Sequence, residues 1–220
     1  MNRVMAIVWK DVLTELRTKE IATSVPVFAL IVIVIFNFAF DPGGETFELA
    51  ASGILWVAFT FAGVLSLNRN FAVEKERGCL EGLLLLPVDR DVLYWGKMLA
   101  GLIFLLVIEA IVTPVFLVLY DLPLFVPELV LIIVLATIGF VSVGTLFSAL
   151  TVNVRARDIM LPILFFPLVV PVIIAAVKAT EVALIGGPFS DMSTWLGIMG
   201  AFDAIFLVIS ALVFEFVVEE

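Results

Sequence analysis

Residues 98–120 read MLAGLIFLLVIEAIVTPVFLVLY, an apolar run interrupted by one charged side chain, Glu109. At 1.5 Å of helical rise per residue, such a run crosses a hydrocarbon core of about 30 Å. Lipid offers backbone groups no partner, so the run must be a helix or part of a closed barrel. Its apolar residues are continuous and do not alternate, which points to a helix. Five other stretches have the same character, and spans are expected at 21–40, 49–67, 98–120, 129–150, 159–176 and 194–217. The fold class that follows is an all-α membrane protein of about six transmembrane helices, with residues 1–220 forming one membrane domain.

Composition agrees with this. The chain has 220 residues, of which 63% are hydrophobic and only 15% charged, whereas a soluble domain carries about a quarter charged residues. There is one cysteine, Cys79, so no intramolecular disulfide is expected, and there is no histidine. The commonest ligand for zinc or heme and the usual base of nucleophilic catalysis are therefore missing. No Gly-x-x-x-x-Gly-Lys-Ser/Thr loop is present to cradle nucleotide phosphates. Glu74, Glu76 and Glu81 could suggest a metal site, but Lys75 and Arg77 interleave with them and a solvated helix is the simpler reading. Neither a catalytic residue nor a metal ligand is expected.

The stretch from Arg3 to Lys19 has charges scattered through it and no compact apolar centre, so a cleaved signal peptide is not expected. Val4, Val8, Val12 and Leu16 recur every four residues beside Met5, Trp9 and Leu13, while Arg3, Lys10, Asp11, Thr14, Glu15 and Thr18 fall opposite. This is the pattern of a helix lying in the membrane interface over 1–19. The competing reading is a solvated helix packed on protein; the spanning segment that follows at once favours the interface.

Connections 41–48 and 121–128 contain no basic residue. Connection 68–97 holds Arg69, Lys75, Arg77, Arg90 and Lys97, connection 151–158 holds Arg155 and Arg157, and the amphipathic stretch adds Arg3, Lys10, Arg17 and Lys19. With six spans, only Lys178 falls on the opposite face. The positive-inside rule then puts both termini in the cytoplasm.

Within the spans, Glu109 and Asp203 lie at bilayer depth, where an acid costs at least about 2.5 kcal/mol on insertion scales. Each is expected to face other helices or a cavity. For Asp203 a hydrogen bond to a neighbouring helix is favoured, because Gly197, Gly200 and Ala204 around it suit close packing. For Glu109 a structural lock and a functional contact remain equally open. Pro162, Pro167 and Pro171 fall within one span and suggest a kinked or broken helix, serving either as a gate or as a static kink. Residues 177–193 are expected at the outer face, as a plain connection or a short re-entrant hairpin.

The 68–97 connection is the most informative. Its stretch Glu-x-Glu-x-Gly-x-x-Glu-Gly-Leu-Leu-x-x-Pro-Val-x-Arg runs from Glu74 to Arg90 and is followed by Gly96-Lys97. It resembles the cytoplasmic loop of ABC-2-type exporter permeases. Two further stretches narrow the likeness. One is Phe61–Ala72. The other runs from Gly144 to Leu150 and on through Arg155-Ala156-Arg157-Asp158 to Pro162, Pro167 and Pro171. Together they resemble the CcmB family of heme exporter permeases in cytochrome c maturation, closely over about residues 50–178. The resemblance implies an ABC-2-type permease that binds no cofactor itself, with heme as the handled ligand and ATP on a separate ABC ATPase subunit. It also implies other cytochrome c maturation membrane subunits, a permease dimer and membrane lipids as neighbours, no nucleic acid, and a place in the cytoplasmic (inner) membrane. Two functions stay open: a permease subunit for heme delivery or export, or a non-transporting scaffold that transmits ATPase motion to release a heme-loaded chaperone. In either, a helix from about Phe71 to Leu86 is expected to dock on the ATPase, with Phe71, Glu74, Glu76, Arg77, Gly78 and Glu81 as contacts. On spacing alone a solvated linker fits equally well.

The orientation is testable by cysteine labelling with Cys79 replaced by serine. Gly44→Cys should react with an impermeant maleimide from outside, and Asp158→Cys only after permeabilisation; the reverse pattern would overturn the orientation.

Overall fold

The apolar stretches fold as helices, several of which run on beyond them. The computed structural model describes residues 3–40, 45–76, 90–152, 154 and 156–217. Among the described residues there are seven helices and no strand: α1 (Arg3–Thr18), α2 (Glu20–Ala39), α3 (Glu45–Glu76), α4 (Arg90–Leu119), α5 (Pro127–Thr151), α6 (Arg157–Leu184) and α7 (Phe189–Val217). Six of them, α2 to α7, are long and apolar enough to cross a membrane. This is the six-span, multi-pass helical fold expected from the sequence, with α1 as the extra amphipathic element.

Two boundaries differ from the hydropathy reading. The 68–97 connection is helical at both ends: α3 continues to Glu76 and α4 begins at Arg90. Charged side chains end an apolar stretch but not a helix, whose backbone bonds are internal. The part of the expected docking helix beyond Glu76 lies outside the described residues. At the other face, α6 runs to Leu184 and α7 starts at Phe189, so 177–193 is two helix ends and a tight turn and not a re-entrant hairpin.

Both described turns on that face close in the same way. At the end of α4, the N–H of Leu122 donates to Leu117 O (2.9 Å) and that of Asp121 to Val118 O (3.3 Å). At the end of α6, Gly187 donates to Val182 O (2.9 Å) and Gly186 to Ala183 O (3.3 Å). These are Schellman caps, with Asp121 (φ 54°) and Gly186 (φ 69°) in the left-handed position such caps require. Pro127 then starts α5, where its missing donor costs nothing.

The helices assemble around α5. In its apolar window 72% of residues are buried within the chain, against 22% for α7, and α5 packs on α3, α4, α6 and α7. Lipid tails are as apolar as leucine, so close packing and hydrogen bonds, not water exclusion, must bring spanning helices together. Two glycines admit the α3–α5 approach: a methyl on Gly63 would collide with the Phe140 ring, and one on Gly144 with Leu67. Hydrogen bonds between helices add to this. Trp56 Nε1 donates to Thr180 Oγ1 (2.9 Å), Ser148 Oγ to Leu67 O (2.6 Å), Asn37 Nδ2 to Leu119 O (3.1 Å) and Tyr120 OH to Ile33 O (3.2 Å). Each such bond contributes roughly 0.6 kcal/mol in a bilayer protein.

Gly144→Leu should therefore force α3 and α5 apart and destabilise the protein by about 1–3 kcal/mol. Gly53→Ala, where an added methyl meets no atom within 4 Å, should be neutral. Thermal unfolding of the purified chains in detergent would show whether the two differ.

Candidate functional site: buried acids and the α1–α4 junction

The residues expected to contact an ATPase lie beyond the apolar part of α3. Its apolar window ends at Asn68 and the helix continues to Glu76, an overhang of about 12 Å at 1.5 Å per residue. Phe71, Glu74 and Glu76 occupy this overhang. Arg77, Gly78 and Glu81 lie outside the described residues.

The two intramembrane acids sit on either side of α5. Glu109 is buried on α4, and the Thr137 hydroxyl of α5 lies 2.9 Å from Oε1 and 2.8 Å from Oε2, donating to the carboxylate. This side-chain contact joins α4 to α5. Asp203 is buried on α7 and faces Gly139 of α5, where an added methyl would collide with Oδ1. Thr137 and Gly139 differ by about 3 Å in rise and about 200° in direction around α5. The two acids therefore share one depth but face opposite sides of the central helix.

The hydrogen bond expected for Asp203 is not present: neither carboxyl oxygen has a partner among the described residues. The close packing arises differently as well. Gly197 and Gly200 have no atom within 4 Å of an added methyl, and it is Gly139 on the partner helix that admits the acid. Among the described residues no three His, Cys, Asp or Glu side chains gather in one place.

The proline-rich span is one continuous helix, α6, with Pro162, Pro167 and Pro171 inside it, so the break considered from the sequence is not found. Pro162 is half-buried, while Pro167 and Pro171 are exposed. The packed face of α6 is built from other residues, Leu161, Phe165, Val169, Val172, Ala176 and Ala179.

Sequence reasoning missed a group of charges at the α1–α4 junction. Lys97, assigned there to a loop, is 1% exposed on α4. Its Nζ lies 3.1 Å from Asp11 Oδ2 of α1, and Lys10 Nζ lies 3.1 Å from Oδ1 of the same carboxylate. The Lys97 contact is an ion pair, not an aligned hydrogen bond. At the end of α1, the buried Glu15 accepts the Ala22 N–H at 2.7 Å and so caps the first turn of α2. Lys19 makes the turn between these helices in the left-handed region (φ 56°). The available signal was a lysine set between Trp95-Gly96 and Met98, an apolar setting for a loop cation. Along α1, Val8 is buried while Met5, Trp9 and Leu16 are more than half exposed. The helix thus packs on protein along one side and offers an apolar edge on another, which combines the two readings of this stretch.

The Glu109–Thr137 bond predicts an asymmetric pair of variants. Glu109→Gln keeps an acceptor for Thr137 and should fold and insert at wild-type levels. Thr137→Val leaves a buried carboxyl without its donor and should destabilise by about 1–3 kcal/mol. Detergent melting curves distinguish them; equal losses would overturn the assigned bond.

Comparison with known proteins agrees over the whole chain. The family model described as "CcmB protein" matches residues 2–219. "Heme exporter protein B" of Pseudomonas aeruginosa is 32% identical over 186 residues, covering 84% of this chain and 83% of the relative. The Rhodobacter capsulatus protein of the same name is 36% identical over 150 residues, covering 67% and 68%, and that of Bradyrhizobium diazoefficiens is 28% identical over 191 residues, covering 86% of each. A six-span bundle with an amphipathic first helix, matched along nearly its full length, belongs to the CcmB family.

Proposed function

We propose that this chain is the membrane subunit of an ABC system that handles heme for cytochrome c assembly, and that it is driven by a separate ATPase subunit docked at the end of α3. The curated relatives bear the name heme exporter protein B. The sequence holds no phosphate-binding loop, so energy from ATP has to arrive through a mechanical contact. One observation carries the docking site: α3 passes unbroken from the bundle, beyond its apolar window, to Glu76. A continuous helix transmits a push along its axis, which a slack linker does not. Glu74, Glu76 and Arg77 supply charges to steer and register the partner, Phe71 and Glu81 bracket them, and Gly78 permits close backbone approach.

The basic residues support an orientation in the cytoplasmic membrane with α1, the α3–α4 connection and the end of α7 facing the cytoplasm. A second permease copy or another maturation subunit has room on α7, the least covered of the spanning helices. In α6, Pro167 and Pro171 remove backbone bonds on the exposed side, which supports a role as the flexing element of the bundle. Glu109 serves as a lock between α4 and α5.

A second reading, release of a heme-loaded chaperone without transport, is favoured by the lack of any histidine to ligate heme. Vesicles carrying the complex separate the two: ATP turnover either moves heme across the bilayer or only dissociates the chaperone.

For the docking site, charge reversal of Glu74 and Glu76 to lysine should reduce recovery of the ATPase subunit in a pull-down by about tenfold. Gly78→Leu should do so by bulk, and neither change should alter insertion. Wild-type recovery with both would place the contact elsewhere.

A further inference from the structure

The two acids of α1 at the α1–α4 junction lie on one stripe of the helix. Ile7, Asp11 and Glu15 recur every four residues, so they share a face of the helix. Each holds a different part of the fold. Ile7 fits against Gly96 of α4, where an added Cβ would come 2.7 Å from the isoleucine Cβ. Asp11 pairs with Lys97, one residue further along α4. Glu15 caps α2 through the Ala22 N–H. A single-residue turn at Lys19 leaves no slack between α1 and α2. The amphipathic helix is thus a brace across the bases of α2 and α4, and α4 is the helix that emerges from the α3–α4 connection.

We propose that the Asp11–Lys97 ion pair is a positioning element that makes α1 travel with the base of α4, so that a displacement imposed at the α3–α4 connection reaches α2 through α1. This rests on the coupling reading above. Lys97 is almost wholly excluded from solvent, so its pair with Asp11 is screened far less than an ion pair in water. Gly96 brings the two helices close enough for the pair to form. The apolar edge of Met5, Trp9 and Leu16 keeps the brace in the plane of the interface as it moves.

The test uses the complex co-purified with its ATPase subunit from a Cys79→Ser background. Lys97→Met and Asp11→Asn should retain the ATPase at wild-type amounts and hydrolyse ATP at the basal rate. ATP-driven release of the heme-loaded chaperone should fall about tenfold or more, because the brace no longer follows α4. A disulfide between Ile7→Cys and Gly96→Cys, whose Cβ atoms need only relax to about 3.8 Å, should restore release to Lys97→Met when oxidised and lose it again when reduced. A merely structural pair would not show this redox-dependent rescue. Should Lys97→Met lower the amount inserted, Asp11→Asn breaks the same pair from its less buried side and carries the same expectation. Wild-type output from either single variant, or failure of the disulfide to restore it, overturns the proposal. A wild-type chain that does not hold the ATPase overturns the coupling reading itself, and with it this inference, before any variant is compared.

Discussion

How closely a neighbour can approach the backbone of α5 sets the arrangement of the other spans. In lipid there is no gain from hiding one apolar helix against another, so association depends on contact distance and on polar groups that find partners. Gly144 admits Leu67, Gly63 on the facing helix admits Phe140, and Gly139 admits Asp203. With α3 and α7 seated on these positions, α6 closes on both of them and α4 on the remaining side of α5. The outward faces of α6 and α7 are left uncovered by the chain, as Ile163, Ile174, Ile205, Val208 and Leu212 show by their exposure.

The polar groups follow from the same geometry. Three hydroxyls on the central helix serve two neighbours: Thr137 binds Glu109 and Ser142 shares a hydrogen bond with Tyr94, both on α4, and Ser148 binds the Leu67 carbonyl of α3. Each lies where helices are close enough for short side chains to reach. Asp203 differs from Glu109 in this respect, buried as deeply but without a donor among the described residues. Its place at the depth of Glu109, on the other side of α5, sets two acids at the same level of the bilayer with one helix between them.

At the face carrying α1 the logic changes from packing to charge. Lys97 and Asp11 meet where α4 leaves the apolar layer, and the pair fixes a helix that hydropathy alone would allow to float in the interface. Together with the Glu15 cap on α2, it makes the amphipathic helix part of the bundle. At this face α1 joins the base of α4 to that of α2, while α3 runs on beyond its apolar window to Glu76.

Much of this was legible in the sequence. The spans were, because a bilayer imposes a minimum apolar length that few other constraints imitate, and the amphipathic stretch was, because its period is local. The motif around Glu74–Arg90 pointed to the family, and the match over residues 2–219 agrees. The helix ends were not legible: apolarity stops at Asn68 and resumes after Lys97, while the backbone stays helical to Glu76 and from Arg90. Nor were the partners of the charges. Lys97 reads as a loop cation and Asp11 as a solvated acid until a fold brings residues far apart in the chain to 3.1 Å. The glycines show the same division. Gly197 and Gly200 have the right composition for a packed seam and face open space, whereas Gly139 and Gly144 make the contacts. Composition and period depend on neighbours along the chain and on the solvent around it. Which small residue meets which side chain depends on how the helices are rotated against one another, and only the assembled bundle decides that.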